Sequence, residues 1–157
     1  MAHSLHVLTA SFNLNQIKQQ RGLKPPLLHF LRGKMKVGVF GSKDWTDYPD
    51  IVRNMTVFIQ EAHELGHENV LLVHTGLKGA ENMITEYVGK TEHFLKQKNF
   101  RLKEELYRGK APVVNDMAVM DSGLEYAIVF STGCNRTKSC IKILKEYDIP
   151  VRIIESA

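Results

Sequence analysis

Lys36-Val37-Gly38-Val39-Phe40 runs directly into Gly41-Ser42-Lys43-Asp44-Trp45-Thr46-Asp47. The first five residues are mainly apolar and β-branched, and the run is too short for a helix, so it predicts a strand. The next seven are small or polar and predict a loop. From Asp50 the apolar residues Ile51, Met55, Phe58, Ile59 and Ala62 fall at helical spacing, and Gly66 supplies a stop. The same alternation then repeats. Residues 69–73 (NVLLV) predict a strand, 74–79 a glycine-containing turn, and Ala80, Met83, Ile84, Tyr87 and Val88 one side of a helix. Residues 125–130 (EYAIVF) are the clearest strand of the chain. A loop over 131–135 and a helix over 137–147, with Cys140, Ile141 and Leu144 inward, lead to a last strand over 149–154. Pro150 lies near the start of that strand, where strand prolines are tolerated. Between these blocks, residues 90–110 read as a short strand within 91–98 and a helix within 101–107, and Pro112 opens a further helix through Met117 and Met120.

Strands alternating with helices form a parallel sheet covered on both faces. Right-handed crossovers put every strand's carboxyl end on one edge. Ligands of open sheets bind on that edge, near the point where strand order reverses. Three loops fall there: 41–47, 74–79 and 131–137. The expected architecture is therefore a single α/β domain over 35–157.

Composition narrows the function classes. The chain has 157 residues, 43% hydrophobic and 24% charged, as in ordinary globular proteins. No apolar run approaches the ~20 residues of a membrane span. Two cysteines, Cys134 and Cys140, are too few for a disulfide scaffold, and no secretory leader is recognisable, so a reduced, cytoplasmic setting is expected. The net charge of +4 is unevenly placed. Residues 1–34 hold five Lys and Arg and no acid; the remainder holds 16 basic residues against 17 acidic ones. The basic character thus belongs to an N-terminal arm or extension, expected to be flexible, and not to the folded body. Such an arm offers phosphate contacts to nucleic acid.

The loops carry the candidate binding residues. Glycines allow close backbone approach, and helix N-termini favour anions. Gly41, Ser42 and Lys43 follow the first strand. Gly76, Lys78 and Gly79 open one helix, and Gly133, Arg136 and Thr137 open another. Trp45, the only tryptophan, sits in a polar loop, where it is expected to cover a base, or to pack on the sheet rim. His74 ends the second strand, facing either ligand or turn. Neither a P-loop nor G-x-G-x-x-G is present. His63-Glu64-Leu65-Gly66-His67 spells H-E-x-x-H, which binds zinc when both imidazoles lie one turn apart on a helix. Gly66 is expected to end the helix before His67, so no metal is assigned.

Gly41-Ser42-Lys43-Asp44-Trp45, His74-Thr75-Gly76-Leu77-Lys78-Gly79-Ala80-Glu81, Ala111-Pro112-Val113-Val114-Asn115, Arg136-Thr137 and Asp148-Ile149-Pro150-Val151 occur in an order that resembles the YspA-like branch of the SLOG superfamily. In that branch the corresponding motifs are G-S-R-[DE]-W, H-G-G-A-x-G-A-D, G-P-x-R-N, G-T and G-I-P-V. The resemblance spans 35–154. It implies a Rossmann-like doubly wound parallel sheet, a nucleotide or nucleotide-derived ligand, no cofactor, and pairing of copies of the chain. It adds Asp44 and Asn115 to the site, Asn115 toward a sugar. Val114 replaces the family's arginine, Arg136 a glycine and Thr75 another. The related lysine-decarboxylase-like enzymes carry P-G-G-x-G-T-x-x-E, absent here. Asp44, Glu81 and Asp116 are the carboxylates that remain for chemistry at a glycosidic bond. The primary expectation is a sensor or sequestering protein for a phosphorylated nucleoside derivative. Hydrolysis of an N-glycosidic or phosphate bond, and single-strand nucleic-acid binding through the arm, are the alternatives.

Overall fold

The computed structural model describes residues 34–156. The arm expected over 1–34 lies, except for Lys34, outside the described residues. Among the described residues five strands and four helices alternate: β1 (Met35–Gly41), α1 (Tyr48–Glu64), β2 (Asn69–His74), α2 (Ala80–Gln97), β3 (Arg101–Leu106), α3 (Pro112–Met120), β4 (Tyr126–Ser131), α4 (Asn135–Glu146) and β5 (Val151–Glu155). All pairings are parallel and the strand order is β3-β2-β1-β4-β5. This is the parallel sheet that the alternation predicts, in Rossmann-like doubly wound form. Strand order reverses between β1 and β4, so the loops leaving those two strands flank the switch point.

Residues along a strand alternate between faces, which builds two cores. Val37, Val39, Tyr126, Ile128 and Phe130 face α1 and α2. Phe40, Ala127 and Val129 face α3 and α4. Helix α1 begins where the Asp47 side chain accepts from the Asp50 N–H at 3.0 Å, a standard N-cap. Its apolar stripe is buried, and Phe58 stacks on Tyr126 with ring centroids 5.7 Å apart. Arg152 of β5 is buried with them. It donates to Glu61 at 2.8 Å and to the Tyr126 hydroxyl at 3.3 Å. Burial pushes the Glu61 carboxyl above its ordinary range, against the opposing pull of Arg152.

The region over 90–110 departs from its sequence reading. Helix α2 continues unbroken to Gln97, and Asn99, at φ 61°, turns the chain into β3. The expected strand within 91–98 is helix, and the expected helix within 101–107 is strand. Arg101-Leu-Lys-Glu-Glu-Leu106 has no β-branched residue, yet it lies in register with all of β2. An edge strand needs one buried side chain here, Leu102, and its charges discourage pairing with other chains. Ladder hydrogen bonds outweigh weak local propensity. Among the described residues no helix is long and apolar enough to cross a membrane.

Candidate ligand site at the strand carboxyl edge

Two glycines allow the loop after β1 to meet the start of α2. A Cβ on Gly41 would lie 2.3 Å from that of Ala80, and one on Gly79 would lie 2.4 Å from the Ser42 carbonyl oxygen. At that contact the Ala80 N–H donates to the Ser42 carbonyl at 3.3 Å. Ser42 also ties this loop to the one after β4. Its N–H donates to the Phe130 carbonyl at 2.9 Å, and its hydroxyl accepts from the Thr132 N–H at 3.0 Å. The Thr132 hydroxyl then donates to Asp44 at 2.8 Å.

Arg136, in the first turn of α4, holds the edge together. Its Nη1 donates to the Gly41 carbonyl at 2.5 Å and its Nη2 to Glu81 at 2.6 Å. Nη2 and Nε together grip Asp116 at 2.7 and 2.9 Å. Four of the five guanidinium N–H donors are therefore spent inside the protein. Burial works against its charge, but Asp116 and Glu81 more than compensate, and it stays protonated. Glu81 is completely buried, and its other oxygen accepts from the Thr75 N–H at 2.8 Å and hydroxyl at 2.7 Å. The sequence expectation placed Arg136 against phosphate; the geometry makes it an internal strut between β1, α2, α3 and α4.

His74 is likewise fully buried. Its Nδ1 accepts from the Gly76 N–H at 2.9 Å, which leaves Nε2 to donate to Glu104 at 2.9 Å. That bond is the main reason the Glu104 carboxyl lies below its ordinary range. His74 thus serves the turn and does not face the edge. Trp45 is 2% exposed, set edge-on against Phe130, with its indole N–H donating to the Asp47 carbonyl. Its place is the sheet rim, the packing alternative of the sequence reading. The Asn115 amide, in the first turns of α3, donates to the Lys110 carbonyl in the loop before the helix. Lys43, Lys78 and Gly133 remain at the surface of the edge, Gly133 at φ 90° with open space around it. Thr137 is buried, hydrogen-bonded to the Ser131 hydroxyl at 2.7 Å. His67 falls beyond the end of α1, which closes at Glu64, so the two imidazoles of the H-E-x-x-H run do not share a helix.

Three site residues escaped the sequence reading. Arg108 crosses Gly76, whose Cβ would meet the guanidinium at 2.4 Å; nothing in its charged surroundings marks it out. Glu104 follows from the misassigned β3. Cys134 caps α4, and only its place just before a helix start could have drawn notice. Burial acts to raise the Cys134 thiol, but the Ser42 and Thr137 hydroxyls, with the backbone N–H groups at the start of α4 close by, bring it below the ordinary thiol range. Cys140, by contrast, is buried and pushed up to about 12, chiefly by burial and then by Asp116. Thiolate is the reactive form. Iodoacetamide at neutral pH is therefore expected to label Cys134 first and Cys140 only on unfolding. Peptide mapping by mass spectrometry reads this directly, and equal labelling rates would refute it.

The fold and this edge define an open parallel α/β sheet whose switch point is framed by three cross-linked β–α loops. No family model, curated protein or solved structure matches the chain.

Proposed function

We propose that the protein binds a nucleotide or nucleotide-derived phosphorylated small molecule at the strand carboxyl edge and acts as a sensor or sequestering protein. The observation that carries this reading is the convergence of the loops after β1, β2 and β4 at the switch point, held in place by Arg136. A rigid edge of this kind is where doubly wound sheets take ligands. Exposed Lys43 and Lys78, with the open turn at Gly133, supply positive charge and close backbone approach for phosphate. The order of motifs resembling the YspA-like branch supports the same ligand class.

Turnover has less support. Glu81 and Asp116, the buried carboxylates at the edge, are both bound to Arg136, and Asp44 is bound to Thr132.

A thermal-shift panel of mono-, di- and cyclic nucleotides tests the reading. A ligand at 100 Kd contributes about 2.7 kcal/mol, a readily visible rise in Tm. Lys43→Ala and Lys78→Ala are each expected to weaken the best ligand about tenfold, the loss of one charge-assisted contact. Neither residue is buried, so the variants should melt like the parent without ligand. No shift from any nucleotide at millimolar concentration would overturn the proposal.

A further inference from the structure

A second feature opens beside the same edge, and what it implies rests on the nucleotide reading above. A cavity of about 270 Å³ lies between α3 and α4. Burial orders its lining. Val113, Asn135 and Ser139 are exposed and form the mouth; Asp116, Met120 and Cys140 are buried and form the floor. Met117 and Ile143 make apolar walls between them. The volume falls short of the roughly 300–1,000 Å³ that holds a whole drug-sized ligand. It suits one flat ring system, with the rest of the molecule outside along the edge.

The floor selects the chemistry. Both Asp116 oxygens accept from Arg136, yet a carboxylate has about four acceptor sites. The Cys140 thiol, 3.9 Å from Asp116, offers only a weak donor and stays protonated. A purely apolar occupant would strip water from Asp116 without replacing its hydrogen bonds, which is costly. A full cation would meet the Arg136 guanidinium, which lines the same cavity. A neutral N–H donor satisfies both constraints. We infer that the α3–α4 cavity receives the base of the nucleotide, flat between Val113, Met117 and Ile143, with an exocyclic amino group donating to Asp116.

The test uses the full-length protein and calorimetric titration. The ligands are adenosine, guanosine and cytidine monophosphates, each paired with its counterpart lacking the exocyclic amine, and ribose 5-phosphate. The best amino-bearing nucleotide is expected to lose about tenfold or more in affinity when the amine is removed. Ser139→Trp, an exposed substitution that fills the mouth, is expected to weaken that nucleotide by at least about tenfold and leave ribose 5-phosphate unchanged. Equal affinity with and without the amine, or full affinity in Ser139→Trp, overturns the inference. Binding of ribose 5-phosphate with no gain from any base overturns the inference alone. Silence from ribose 5-phosphate and every nucleotide overturns the nucleotide reading and the inference with it.

Discussion

Arg136→Leu is expected to destabilise the protein by about 3–5 kcal/mol, the cost of removing one partner from a buried ion pair. The reason is the carboxylates left behind. Glu81 is fully buried and Asp116 nearly so, and Arg136 is the cation bound to both. Leucine fills part of the space but supplies no donor. Against a typical total of roughly 5–15 kcal/mol this is a large share, and Tm should fall by roughly 10–20 °C. Combining the change with Glu81→Gln and Asp116→Asn removes the unpaired charges at nearly constant volume, and most of the loss should return. Denaturant titrations of the single and triple variants decide the matter. A single-variant loss of about 1 kcal/mol or less would mean that water already screens the triad, and the strut role would fall.

The strut also explains how much of the site could be read from sequence. Spacing and glycine placement mark the loops, because a β–α turn on the carboxyl edge needs small residues within a few positions of the strand end. Gly41, Ser42, Gly79, Arg136 and Thr137 all prove to be part of that edge. Their division of labour is a different matter. Whether Arg136 faces solvent or turns inward depends on Glu81 and Asp116, which lie 55 and 20 positions away. No local pattern encodes such a pairing. Trp45 shows the same limit, since a polar loop gives no sign that Phe130 waits beneath it. The edge strand β3 is obscure for another reason: half exposed and charged, it has no periodicity to display, and its conformation is imposed by β2.

The two arginines illustrate how differently one residue type is used. Arg152 is buried in the core beneath α1, stacked near Phe58 and Tyr126 and paired with Glu61. Arg136 performs the equivalent service at the edge, where its partners come from α2, α3 and the last residue of β1. A planar guanidinium suits both places because its several donors have fixed directions. At the edge, that geometry fixes the start of α4 against β1, α2 and α3.

Gly79→Ala and Gly89→Ala should move stability in opposite directions, although both add one methyl group near α2. Gly79 has φ 97° and ψ −133°, a conformation that only glycine adopts readily. The added Cβ would lie 2.4 Å from the Ser42 oxygen and 2.7 Å from Lys43 backbone atoms. Backbone on both sides cannot swing away as a flexible side chain can. Strain of about 1–3 kcal/mol adds to the cost of parting the two loops, for a total of about 3 kcal/mol or more. Gly89 sits within α2 with nothing within 4 Å of the new carbon. Alanine there lowers the entropy of the unfolded chain and favours helix, so a gain of about 0.5–1 kcal/mol is expected. Thermal melts of the two variants measure the contrast. Nucleotide stabilisation should vanish in Gly79→Ala and persist in Gly89→Ala, because the first change displaces Ser42 and Lys43 and the second touches neither. If Gly79→Ala melts with the parent, the loop after β1 yields easily, and the edge lacks the rigidity on which the binding proposal depends.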